Sequence, residues 1–221
     1  MSDAIRAFGD ELAADPDVRG VGLFGSHARG TAGPDSDADL VVLVDQPGFV
    51  MGCAVRGDQE FELVRLSEAT AIAYFTANRD HAADVWPSFK ILYDPDGGLG
   101  RVRDFAQGLV AEGKPALDQA WVEWSRFASA DRLRAAARLA ETDLTTARMV
   151  LHERVLELTA TYFDLRRRWT PPMKRRLPAI AEHDPELHGL LVGFFGDAGS
   201  FHEQLALAES VLDGVYAEHS R

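Results

Sequence analysis

The sequence predicts an α+β chain: a sheet with flanking helices over residues 1–113, then an antiparallel helical bundle over 114–221. Three observations predict it. Short apolar, β-branched runs bounded by Gly, Pro and Asp recur between residues 21 and 93. Strand signals stop at Glu112-Gly113-Lys114-Pro115, a Gly/Pro break. Beyond it, Leu144, Leu151, Val155, Leu158, Tyr162 and Leu165 recur at helical spacing. A chain of 221 residues can bury the two cores this requires.

The elements follow in order. Ile5, Phe8 and Leu12 share one helical face, and Asp15-Pro16-Asp17 ends that helix. Val21–Phe24 reads as a buried strand that stops at Gly25, with a helix after it that Ser26 can cap. Gly30 to Ser36 is a loop, and Leu40–Val44 is a second buried strand. Phe49–Val55 and Phe61–Leu66, separated by Arg56-Gly57-Asp58-Gln59, read as a hairpin. Ser67-Glu68 opens a helix to about Phe75, Asn78–Val85 is a short helix, Phe89–Tyr93 is a strand, and Leu99–Ala111 is a helix. In the second half, Leu117, Trp121, Trp124 and Ala128 form one apolar face. Phe201, Leu205, Ala208, Leu212 and Val215 form another, and a shorter one runs through Leu187, Leu190, Leu191, Phe194 and Phe195.

The chemistry concentrates between Gly22 and Val44. Gly25 has no Cβ, so backbone there can approach a ligand closely, and amides at a helix start favour phosphate. Asp37 and Asp39 stand at the head of the second strand. Side chains two apart on a strand share a face, so both carboxylates can share Mg²⁺, a hard ion that prefers oxygen. Glu60 and Glu62 on the hairpin's second arm also share a face, and periodicity does not choose between them.

Composition narrows the class. No apolar run approaches a membrane span. The N-terminus carries Asp3 and Arg6 on an amphipathic pattern rather than a signal peptide, and a single cysteine, Cys53, excludes an intrachain disulfide framework. A cytoplasmic location is the expectation. The formal net charge of −12 argues against a nucleic-acid partner and suits a cationic one. The seven histidines are scattered and lack Cys partners, so no zinc pattern arises.

Gly25-Ser26, Ala28-Arg29-Gly30 and Ser36-Asp37-Ala38-Asp39-Leu40 together resemble the signature of the nucleotidyltransferase superfamily that includes DNA polymerase β. Within it the match looks closest to bacterial enzymes of the kanamycin nucleotidyltransferase and minimal nucleotidyltransferase kind. The resemblance implies a mixed catalytic sheet, a nucleoside triphosphate (ATP first) as co-substrate, and Mg²⁺ held by Asp37, Asp39 and a third carboxylate. It selects Glu62, because Leu63-Val64 follows as apolar residues follow the third acid in relatives, many of which carry Asp there. Gly25 and Ser26 are expected on the β- and γ-phosphates, with Arg29 holding phosphate or bracing the loop. His27 is at a variable position and is expected to face solvent. Lys174, in the basic stretch Arg166–Arg175, is expected to meet triphosphate or pyrophosphate. The competing view of that stretch is a helix end whose arginines complement the dipole.

The implied reaction is transfer of a nucleoside monophosphate to a hydroxyl with release of pyrophosphate. The acceptor is expected to be a small hydroxylated molecule, with aminoglycosides and related antibiotics first among the candidates. Glu153, Glu157 and Asp164 lie off the leucine stripe of the long helix and offer an acidic surface for its ammonium groups; an ordinary solvated helix face is the plainer account. The alternatives are an antitoxin-type enzyme that adenylylates a partner protein, with Arg176 and His183 as the mark of a fused ribonuclease half, and a non-catalytic nucleotide-binding module. Relatives of the kanamycin enzyme form dimers with shared sites, so a homodimer is a further expectation from the resemblance.

Overall fold

A computed structural model describes residues 1–196 and 199–217, and the chain divides into two compact units, Met1–Glu112 and Gly113–Arg221.

The first unit is built on a five-stranded sheet: β1 (Val18–Phe24), β2 (Ala38–Val44), β3 (Phe49–Arg56), β4 (Gln59–Leu66) and β5 (Lys90–Tyr93). The strand order is β3-β4-β2-β1-β5. β3/β4, β2/β1 and β1/β5 run antiparallel while β2/β4 runs parallel, so the sheet is mixed. Alternation sorts the side chains. Leu40, Val42, Phe61 and Leu63 point to one face, where Ile5, Phe8 and Leu12 of α1 (Asp3–Ala13) bury them. The Phe8 and Phe61 rings meet at 4.5 Å. Val41, Val64 and Leu66 point to the other face. They pack there with Phe75 of α3 (Glu68–Ala77), Val85 of α4 (Arg79–Val85), Trp86, and Val102 and Ala106 of α5 (Gly98–Ala111). The short helix α2 (Gly25–Arg29) follows β1 directly.

The second unit is helical: α6 (Gln119–Leu139), α7 (Leu144–Leu165), α8 (Met173–His183), α9 (Pro185–Phe195) and α10 (Phe201–Tyr216). Polar caps start most of them. Asp118, Asp143 and Asp184 accept backbone amides of α6, α7 and α9, and Ser200 with Glu203 forms a capping box on α10. Leu151, Val155, Leu158 and Tyr162 of α7 are fully buried against Ile180, Leu191, Phe194, Val211 and Val215. Each such side chain contributes roughly 1.5–3 kcal/mol of transfer free energy.

The expected apolar face of α6 is corrected. Trp121 and Trp124 are 39% and 63% exposed, and the face that packs inward is Val122, Ser125, Ser129, Leu133 and Ala136. Small serines succeed there because their hydroxyls are satisfied: Ser125 Oγ and Tyr216 Oη lie 2.8 Å apart, and Ser129 Oγ donates to the Ser125 carbonyl at 2.7 Å. Leu144, the first residue of α7, is also exposed rather than part of the buried stripe.

Candidate metal and phosphate site

The site forms where β1 ends and β2 begins, beside the middle of β4. In the antiparallel β1/β2 ladder Phe24 stands opposite Asp39, and in the parallel β2/β4 ladder Asp39 stands opposite Glu62. Asp39 is therefore flanked by the β1 turn on one side and Glu62 on the other. Asp37 precedes β2 by one residue. One oxygen from each of Asp37, Asp39 and Glu62 lies within 4.8 Å of the other two. Asp37 is exposed, and Asp39 and Glu62 are half-buried. Glu60 is exposed, pairs across to Val55 of β3, and is outside this group. The parallel register makes the choice between the two glutamates that strand alternation leaves open.

Asp39 and Glu62 share the sheet face of Val41 and Val64. A small apolar cavity of about 40 Å³ opens on that same face, lined by Val41, Val64, Tyr74 and Trp86 among others. None of the acids lines it. In that wall Tyr74 Oη and His81 Nδ1 are hydrogen-bonded at 2.9 Å, and burial lowers the His81 pKa and raises that of Tyr74.

Gly25 presses on the acids from the β1 side. Its φ is +69°, a left-handed value that favours glycine. A Cβ built there would lie 1.7 Å from Asp39 Oδ2. Glycine is thus required twice, by the turn and by the carboxylate lodged against it. Ser26 does not cap the helix as expected: Phe24 is the cap residue, without a side-chain bond, and Ser26 lies inside the first turn of α2. Ala28 is buried, and Arg29 is half-buried with an Nε that has no hydrogen-bond partner. His27 is half-buried, and its Nε2 lies 3.1 Å from the Ser36 carbonyl oxygen.

The other candidates belong to the second unit. Glu153 and Glu157 are exposed on α7, and Glu157 is paired with Arg154 at 2.9 Å. Asp164 pairs with Lys114 and accepts from Thr170 Oγ1 at 3.4 Å. The acidic stripe is therefore interleaved with cations instead of forming a bare cluster. Lys174 is exposed in the first turn of α8. Its basic neighbours are largely structural. Arg166 donates to the Val215 carbonyl at 3.1 Å and lies 4.0 Å over the Tyr162 ring. Arg176 donates to the Pro171 carbonyl at 3.1 Å and to Thr159 Oγ1 at 3.3 Å. Arg176 and His183 lie on one continuous helix with Pro178 inside it.

The donor set suits a hard divalent cation: three carboxylates with no His or Cys among them. Comparison with known proteins is consistent with this geometry. No curated protein matches the chain. The fold resembles that of a nucleotidyltransferase-like protein from Exiguobacterium sibiricum 255-15, with a TM-score of 0.53 at 15% identity, covering 97% of this chain and 74% of that one. Residues 5–91, which carry Gly25, Asp37, Asp39 and Glu62, match the family described as "Nucleotidyltransferase domain", and this supports the nucleotidyltransferase superfamily for the sheet unit without singling out the kanamycin type within it.

Proposed function

We propose that the protein transfers a nucleoside monophosphate, AMP from ATP in the first instance, to a hydroxyl of a small molecule. The acceptor oxygen forms a bond to the α-phosphorus, the bond from that phosphorus to the bridging oxygen breaks, pyrophosphate leaves, and the hydroxyl proton is released. The observation that carries the proposal is the convergence of Asp37, Asp39 and Glu62 oxygens within 4.8 Å, on a segment that matches the nucleotidyltransferase domain.

These three carboxylates would hold Mg²⁺. When bound, the ion supplies charge neutralisation for the triphosphate and favours the alkoxide form of the acceptor. Gly25 keeps the Asp39 carboxylate in place and leaves the β1 turn bare of side chain, so a phosphate can approach the backbone. Ser26 offers a hydroxyl, and the buried Nε of Arg29 is a donor that braces the turn or meets an oxyanion. Lys174 is assigned to the triphosphate as a point charge, and Glu153 and Glu157 to an acceptor with ammonium groups. The net charge of −12 supports a cationic acceptor of the aminoglycoside kind.

The test is pyrophosphate release with Mg-ATP across a panel of aminoglycosides and other hydroxylated antibiotics, with products identified by mass and Asp39→Ala run alongside. An AMP adduct on one compound, absent with the variant, is the expected result. Silence across the panel with nucleotide still bound removes the small-molecule acceptor and points to a protein one. Turnover that persists in Asp39→Ala removes the metal site.

A further inference from the structure

Every polar group of Ser36, the residue before Asp37, is engaged. Its amide donates to the Gly33 carbonyl at 3.2 Å, and its hydroxyl accepts the Gly33 amide at 2.9 Å. Its carbonyl oxygen receives two side chains: His27 Nε2 at 3.1 Å and Gln59 Nε2 at 3.0 Å. A carbonyl oxygen has two lone pairs, so these two donors saturate it. Because that oxygen can only accept, His27 carries its proton on Nε2. Gln59 is itself held, since its second amide hydrogen goes to the Glu60 carbonyl at 2.9 Å.

The two donors come from different elements. His27 lies on α2, in the turn that carries Gly25 and Ser26. Gln59 opens β4, the strand that carries Glu62. Asp37 has no ladder partner of its own, because β2 begins at Ala38. Register therefore places Asp39 and Glu62, but it does not place Asp37.

We propose that His27 and Gln59 are positioning residues that place Asp37. By saturating the Ser36 carbonyl from both sides, they fix the loop end from which the Asp37 carboxylate reaches the other two. They also couple the β1 turn to the Glu62 strand through one backbone oxygen. This rests on the reading of the three acids as a divalent-cation site.

The experiment is Mn²⁺ titration of the full-length, metal-free protein, followed by electron paramagnetic resonance without nucleotide. It compares wild type, His27→Leu, His27→Gln, Gln59→Leu and Asp39→Ala. His27→Gln is the rescue, because its amide nitrogen reaches about as far as Nε2 and donates as it does. Loss of His27 or Gln59 as donor is expected to weaken Mn²⁺ binding about tenfold, with His27→Gln near wild type. Amide hydrogen exchange in the metal-free protein supplies a second readout: the Ser36 amide, which donates to the Gly33 carbonyl, is expected to exchange faster in His27→Leu and Gln59→Leu, while Val41 and Val64 in the strands keep their protection. Wild-type Mn²⁺ affinity in both leucine variants, beside its loss in Asp39→Ala, overturns the clamp and leaves the metal site standing. Weakening that His27→Gln does not restore, with protection lost along β2 as well, also overturns it, since a general loosening of the sheet explains that pattern. A wild type that takes up no Mn²⁺ overturns the metal site and the clamp together.

Discussion

Both units carry a group of acids on which function can be built, and the structure treats the two groups in opposite ways. In the sheet unit, Asp37, Asp39 and Glu62 come from the head of β2 and the middle of β4 and turn their oxygens to within 4.8 Å of one another. In the helical unit, Glu157 turns to Arg154, and Asp164 to Lys114. Carboxylates that face each other repel, by about 1 kcal/mol for a pair at 4 Å in water and more near a protein surface. A bound divalent cation would relieve that repulsion. Carboxylates that face cations need no further explanation, since helices routinely carry such pairs. Mutual approach of like charges, rather than their number, is what distinguishes a site from a solvated face.

The comparison breaks most visibly in turnover. Asp39→Ala is expected to lower the nucleotidyl-transfer rate by at least about a hundredfold, while Glu157→Gln, which removes a contact to the acceptor and none to the metal, is expected to raise the acceptor KM and leave kcat within about twofold. Steady-state rates on the identified acceptor check this, and equal losses would make the two acid groups functionally alike.

A second effect is on folding. Leu40 is fully buried between β1 and α1, and Leu40→Ala is expected to lower stability by about 2–5 kcal/mol in urea unfolding. Gly25→Ala is expected to lower it by at least about 1–2 kcal/mol from the left-handed backbone alone. It should also abolish Mn²⁺ uptake, because the added Cβ displaces Asp39. Unchanged metal binding in Gly25→Ala would separate the turn from the carboxylate.

One histidine of the sheet unit, His81, offers a smaller, pH-dependent effect. Burial depresses the His81 pKa, so the unfolded chain takes up this proton first as the pH falls, near its ordinary value of about 6.5. Stability from this group is full above that value and declines below it until the folded pKa is passed. His81→Asn is expected to flatten the decline between about pH 7 and 5, as measured by thermal midpoints.

The smallest effect sharpens the contrast most directly. Asp37→Asn relieves repulsion in the metal-free protein and is expected to raise its midpoint by about 1 °C. Glu157→Gln removes an attraction on α7 and is expected to lower it by a similar amount or leave it unchanged. The opposite signs are the result to look for.

Much of the site is legible in the chain because its signals are local. A strand that stops at a glycine and an Asp-x-Asp pair that opens an apolar run need only strand alternation to be interpreted. Glu62 against Glu60 is different: both satisfy alternation, the motif resemblance favours Glu62, and the parallel pairing of Asp39 with Glu62 is what brings that residue to the aspartates. His27 carries no sequence signal for its role, since its partner carbonyl belongs to Ser36 across a loop and is shared with Gln59 from another strand. The α6 face misleads for a related reason. Tryptophan predicts burial by its size, yet Ser125 and Ser129 pack inward because Tyr216 from α10 and the helix's own backbone satisfy their hydroxyls.

By itself the sequence determined the strand and helix periods, the small-residue turn at Gly25, the Asp37/Asp39 pair and the start of α3 at Ser67. Each depends on residues within a few positions of one another. The tertiary structure decided which glutamate joins the aspartates, that Gly25 must yield its side-chain volume to Asp39, that Ser36 is gripped from two sides, and which acids meet cations. These depend on strand register and on contacts between residues far apart in the chain, and local periodicity carries no information about either.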